Sequence, residues 1–184
     1  VDLKILNVDV LSNKLVTDNP VNRCYYCKQG VFGTILEAAK NDGMTVILDG
    51  TNASDDADDR PGMKALQEMK VLSPLRMCGY VKSEIRKQSK EAGLFVYNKP
   101  SYACLATRIP TGTEIDEEKI KQVETAETFL FDLGFSDFRV RWMDNKAKIQ
   151  MPESRLQALM EKREIVLEEL SKIFDEVLLD LRTR

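Results

Sequence analysis

Histidine is missing from all 184 residues. Its absence removes the imidazole general base, the Ser-His and Cys-His nucleophile pairs and most catalytic zinc sites, so any chemistry runs on thiols, carboxylates, cations or a cofactor. Long apolar runs are missing too. None approaches the roughly 18 to 20 residues that cross a bilayer, and Val1 to Val10 lacks the basic-then-apolar layout of a signal peptide. The chain is therefore read as cytoplasmic, with no membrane partner. A basic excess is the third absence: 27 basic against 30 acidic residues give a net charge of -3. With no long basic run, a nucleic-acid partner is not expected. What remains is an ordinary globular composition, 43% hydrophobic, which excludes a disordered or collagen-like chain.

Along the chain, two halves separate near Gly112. The first opens without methionine, directly in Leu3 to Val10, whose apolar and β-branched character predicts a strand; an N-terminal piece is expected to be missing. A helix is predicted from Asn22 to about Lys40, closed by Asn41-Asp42-Gly43, then a short buried strand over Met44 to Leu48. A polar loop over Asp49 to Gly62 leads to a short helix around Met63 to Glu68, to Val71-Leu72-Ser73-Pro74-Leu75, and to a helix near Val81 to Ala92 that Gly93 stops. Strands alternating with helices predict an α/β layout with a parallel sheet.

The second half predicts a small α+β domain. Asp116 is a plausible N-cap for a helix with Ile120, Val123, Ala126, Leu130 and Leu133 on one face, ended by Gly134. Phe138, Val140 and Trp142 alternate with Asp137, Arg139 and Arg141, and after a turn at Asp144-Asn145, Ala147, Ile149 and Met151 alternate with Lys146, Lys148 and Gln150. That is a hairpin with one core face and one cationic face. A helix from Pro152 to about Ile173 and a strand over Val177 to Leu181 complete the domain.

Four cysteines are present: Cys24, Cys27, Cys78 and Cys104. Cys24 and Cys27 stand three apart at the opening of a predicted helix, which puts both sulfurs on one face near the positive end of the dipole. Metal or cluster ligation and inert buried thiols both remain open for that pair. Cys104 lies in Ser101-Tyr102-Ala103-Cys104-Leu105-Ala106-Thr107-Arg108, a segment with the composition of an active-site loop. Three thiolates without histidine suit a 4Fe-4S cluster with one iron lacking a protein ligand, whereas adding Cys78 would give a closed four-sulfur zinc site. Cys78 has no local companion and is read as a spare thiol. The Asp49 to Gly62 loop packs five aspartates into eleven positions from Asp49; it suits Mg2+ held against phosphates or a plain solvated acidic loop. Arg139 and Arg141, two apart on a strand, point the same way and suit either a double clamp on phosphate or an exposed charged face.

Several segments together resemble the LarE family of ATP-dependent sulfur transferases: Asn22 to Lys28 with its Cys-x-x-Cys, Leu48 to Gly62, Ser73-Pro74-Leu75, Lys82 to Leu94, Ala103 to Arg108, and Leu133 to Arg141. The resemblance implies a PP-loop ATP pyrophosphatase-type parallel sheet with helices over residues 1–112, its N-terminal part missing, and a substrate-binding α+β domain over residues 113–184. It implies adenylylation of a carboxylate on a pyridinium dicarboxylate mononucleotide, followed by sulfur insertion that expels AMP. ATP and Mg2+ are then expected against Asp49, Thr51, Asn52, Asp56 and Arg60, and a 4Fe-4S cluster on Cys24, Cys27 and Cys104. Cys104, Arg108 and Glu127 are the implied catalytic residues, Arg139 and Arg141 the implied phosphate ligands, and a homo-oligomer the implied assembly. The family's Ser-Gly-Gly-x-Asp-Ser run is absent from the sequence, so weak ATP binding is expected of this chain. Gln150 and Ala158 occupy positions where some members carry acids. A cluster-dependent tRNA-thiolating enzyme and a zinc-stapled binding module are the alternative readings.

Overall fold

The computed structural model describes residues 3–55 and 61–182, which fall into two compact units, Val1–Lys99 and Pro100–Arg184. The contact boundary precedes the sequence boundary at Gly112, because the 3-10 turn Leu105–Arg108 packs on elements of the second unit.

In the first unit, α1 (Lys14–Thr17) starts at Asn13, whose side chain accepts the Leu15 N–H. The helix α2 (Arg23–Asn41) agrees with the predicted span and is followed by α3 (Pro61–Glu68), α4 (Pro74–Met77) and α5 (Lys82–Glu91). The core here is small: Met63, Leu66 and Val71 are buried, with Phe32, Ile47 and Met69 packed against them. The two predicted strands differ from expectation. Residues 3–10 form no ladder among the described residues, and 44–48 contribute a single parallel bridge, Leu48 to Leu72, closed by Leu72 N–H to Ile47 O (3.0 Å) and Asp49 N–H to Leu72 O (2.9 Å). An apolar stretch becomes a strand only where a neighbour accepts its backbone groups, and these segments meet one such neighbour at one point.

The second unit is better filled. Helix α6 (Glu117–Asp132) is capped by Asp116, which accepts the Lys119 N–H at 2.7 Å. After α6, Gly134 takes a φ of +88°, a conformation that suits glycine at a helix end. Strands β1 (Arg139–Met143) and β2 (Lys146–Gln150) pair antiparallel, and the turn residues Asp144 and Asn145 both have positive φ, as a two-residue hairpin demands. Strand β3 (Glu176–Leu179) then pairs parallel to β2. Between them, the predicted single helix is two: α7 (Glu153–Glu161) and α8 (Arg163–Leu170). The joint is Lys162, at φ -102°, whose Nζ is held by the Leu133 carbonyl at 2.7 Å. The core includes Leu130, Phe138, Val140, Ile149, Leu159 and Leu170. No helix among the described residues is long and apolar enough to cross a membrane.

Candidate functional site

Cys104 opens the 3-10 turn. Its carbonyl accepts both the backbone N–H (3.0 Å) and the hydroxyl (2.7 Å) of Thr107, so one threonine closes the turn while the thiol stays exposed. Four residues on, Arg108 points inward and is 1% exposed. Its Nε and one terminal nitrogen donate to the two oxygens of Glu127 at 2.7 and 3.0 Å, a planar fork on a carboxylate. Glu127 projects from the core face of α6, in step with Val123 and Leu130, and is fully buried. It also accepts the Val140 N–H from β1 at 2.8 Å. Tyr102 approaches from the other side of Cys104: its ring lies 5.3 Å from the Arg108 guanidinium and 5.8 Å from the Phe131 ring. Burial, then the hydrogen bond and charge of Glu127, push the Tyr102 phenol up to about 12. Arg108 and Glu127 are thus placed together, each as the other's main partner.

On the outer face of the hairpin, Arg139 and Arg141 share a side, opposite Gln150 and Lys148 respectively. Arg141 donates from Nε to Gln150 (2.8 Å) and from a terminal nitrogen to the Thr107 carbonyl (2.6 Å), so the cationic strand and the Cys104 turn are joined directly. Gln150 in turn donates to Asp180 at 2.7 Å, and Lys148 Nζ stands 3.1 Å from the same carboxylate oxygen. The Gln150 hydrogen bond, the Arg182 backbone N–H and Lys148 pull the Asp180 carboxyl down to about 2. The pattern of alternation puts Gln150 on this face from sequence alone. Asp180 has no local signal, because it arrives only through the parallel crossover after α8. Thr107 is a third contributor that composition does not single out.

The other expected residues lie in the first unit. Cys24 is exposed and Cys27 half-buried in the first turns of α2; an Arg23 nitrogen stands 3.7 Å from the Cys24 sulfur. Cys27 lines a groove of about 320 Å³ with Asp9, Tyr26 and Thr34 among its walls. Cys78, exposed, ends α4. Asp49 shapes its own loop: one oxygen accepts the Ser73 hydroxyl (2.6 Å) and the Thr51 N–H (3.2 Å), the other the Thr51 hydroxyl (2.6 Å). Partial burial works to raise its pKa, but those hydrogen bonds and the Lys28 charge hold it below the usual value. Asn52 accepts the Ser54 N–H at 3.0 Å, and its own N–H donates to Asp55. Asp56 and Arg60 lie outside the described residues.

By residue type the accessible thiols fit a thiolate-held cluster, and the Cys24–Cys27 spacing supplies two ligands from one helix face. Cys104 belongs to the second unit. Among the described residues no group of three or more thiols and carboxylates is gathered as a metal-holding set.

No family model matches the chain. Over 175 residues, 95% of the chain, it is 33% identical to the pyridinium-3,5-bisthiocarboxylic acid mononucleotide synthase of Lactiplantibacillus plantarum. The chain is similar to a synthase of a sulfur-bearing mononucleotide. It is also 36% identical over 171 residues (93% of the chain) to an uncharacterized protein of Synechocystis sp., and 32% identical over 161 residues (88%) to one of Methanocaldococcus jannaschii. The chain spans 63% of the length of each of these relatives. With the synthase the similarity takes in both units.

Proposed function

We propose that the chain is a LarE-family protein that serves ATP-dependent sulfur transfer to a pyridinium dicarboxylate mononucleotide. A substrate carboxylate oxygen attacks the α-phosphorus of ATP and pyrophosphate leaves; a sulfur nucleophile then attacks the acyl carbon, expels AMP and leaves a thiocarboxylate. The observation that supports this most is the direct joining of the exposed Cys104 turn to the strand that carries Arg139 and Arg141. A phosphate held by arginines on one face of a hairpin, with a working thiol on a turn bonded to that strand, is an arrangement for a small anionic nucleotide.

Cys24, Cys27 and Cys104 would hold the 4Fe-4S cluster, with Cys78 outside it. When bound, the cluster would supply sulfide at the iron that has no protein ligand. Arg139 and Arg141 bind and orient the substrate phosphate. Arg108 and Glu127 keep the Cys104 turn in place. ATP with Mg2+ is assigned to the loop beginning at Asp49, with Thr51, Asn52, Asp56 and Arg60; there the internal hydrogen bonds of Asp49 give it the part of shaping the loop.

Anaerobic reconstitution followed by an absorption spectrum, an iron count and mass spectrometry of the product tests the reading. The protein is expected to be brown with about four irons per chain, and iron is expected to fall in the serine variants of Cys24, Cys27 and Cys104 but not of Cys78. Stoichiometric zinc, or equal iron loss in Cys78→Ser, overturns the cluster assignment. Failure of ATP-competent protein to add sulfur to the mononucleotide overturns the activity.

A further inference from the structure

Cys104 sits between Tyr102 and Arg108, and Arg108 is anchored on a buried carboxylate. Arg108, after it, gives Glu127 two N–H groups. Tyr102, before it, lays its ring 5.3 Å from the Arg108 guanidinium and 5.8 Å from the Phe131 ring of α6. The Val140 amide supplies a third donor to Glu127. A carboxylate has about four lone-pair sites, and these three donors take most of them on a Glu127 that is fully buried. A second tie runs beside the first, from Arg141 to the Thr107 carbonyl. Adjacent residues of the turn, Thr107 and Arg108, are therefore fixed to adjacent residues of β1, Val140 and Arg141.

We propose that Glu127 is a positioning residue: through Arg108 and the Val140 amide it clamps the Cys104 turn to β1, and so sets the distance from the thiol to the arginine pair Arg139 and Arg141. The purpose of that distance rests on the sulfur-transfer reading; the clamp itself does not. A loop held at both flanks presents its central thiol without having to order it at each turnover, which is where preorganisation contributes to rate.

The clamp hides a protease site. Trypsin needs an arginine side chain free to enter its pocket, and Arg108 is 1% exposed with its guanidinium on Glu127. In Glu127→Gln, which keeps the shape of the side chain and removes its charge, cleavage of the Arg108–Ile109 bond, identified by fragment mass, is expected to run at least tenfold faster than in the wild type. Circular dichroism and slow amide exchange in β2 check that the unit remains folded. Should that variant unfold, Glu127→Asp, which keeps the charge but shortens the reach to Arg108, carries the same test, with a several-fold acceleration expected. In ATP-competent protein, Glu127→Gln is expected to lower thiocarboxylate turnover tenfold or more while the dissociation constant of the pyridinium dicarboxylate mononucleotide stays within twofold. An unchanged cut after Arg108 in folded variants overturns the clamp, as does a tenfold loss of substrate affinity with turnover at saturation intact. If wild-type protein forms no thiocarboxylate while trypsin still separates the variants, the sulfur-transfer reading fails and the clamp stands.

Discussion

The second unit closes around a continuous core of buried side chains under a three-stranded sheet, whereas the first closes on Met63, Leu66 and Val71 and one parallel bridge. Helix α2, the longest element at 19 residues, has no buried residue. Nearby, Leu3 and Ile5 are 85% and 79% exposed, and Met44, Val46 and Leu48 are each more than half exposed. Both units carry strand-like apolar segments of similar length. In the second, each meets a neighbour along its whole length; in the first, the neighbour is a single residue pair. Apolar pattern sets which face a segment buries, and the presence of a partner decides whether it becomes a strand at all.

The sharpest test of this contrast is Glu127→Ala. Leaving Arg108 charged and buried without its carboxylate is expected to cost about 3 to 5 kcal/mol, read as a fall in the urea midpoint of the second unit. A null result would mean that the pair is not integral to that core. Next come matched truncations. Leu130→Ala is expected to cost about 2 to 4 kcal/mol, while Leu66→Ala falls at or below the lower end because a small cluster with open surroundings collapses into the gap. Native-state amide exchange should agree, with Val140 and Ile149 far more protected than Asp49 and Leu72; equal protection would erase the contrast between the units.

Arg141→Lys bears on the site rather than the core. Lysine cannot reach Gln150, Thr107 and a phosphate with one planar group, so substrate affinity should fall by roughly ten- to a hundred-fold, equivalent to about 1.5 to 3 kcal/mol, with iron content unchanged. Wild-type affinity would leave the hairpin face merely solvated. A smaller effect compares two caps: Asp116→Ala should cost about 1 kcal/mol at the 16-residue α6, and Asn13→Ala much less, since the four-residue α1 holds little structure to lose. Thermal melts of the two variants decide it.

Acid probes the carboxylate at the end of the Gln150 link. Asp180, whose carboxyl is lowered to about 2 in the folded chain, titrates near 3.9 when unfolded. Its contribution to stability is therefore complete above about pH 4 and is lost as the pH falls toward 2. Asp180→Asn should lower the second unit's stability at neutral pH, flatten the acid limb of its stability curve across that window and leave stability below about pH 2 nearly unaffected. An unaltered acid limb would show that Gln150 and Lys148 do not hold this carboxylate in solution.

The sequence was most readable where contacts are local. Alternation over Phe138 to Met151 identified the hairpin, its turn at Asp144-Asn145 and the shared side of Arg139 and Arg141. The 3 and 4 spacing of α6 located its buried face; Glu127 falls on that face in the structure, but only the family resemblance singled it out, not its need of a buried partner. Arg108 as that partner was not readable, because the turn reaches α6 only in three dimensions. The same reason hid Asp180. Lys162 carries no glycine or proline to mark a break, so the division between α7 and α8 had no sequence cue; a tertiary bond to Leu133 accompanies it. In the first unit the predicted strands failed for want of a ladder partner, something that no window of the sequence contains.

The parallel seam between β2 and β3 also imposes an order in time. Lys146 pairs with Glu176, thirty positions later, so the seam cannot close until the intervening α7 and α8 have collapsed into place. The β1–β2 hairpin needs only its two-residue turn and forms on a scale of about 1 to 10 microseconds. The hairpin is accordingly the early structure and β3 the late arrival: substitutions in the turn should slow folding, and those in β3 should mainly hasten unfolding. Arg141 is thus set on its strand before Asp180, at the far end of the Gln150 link, comes in to complete the face.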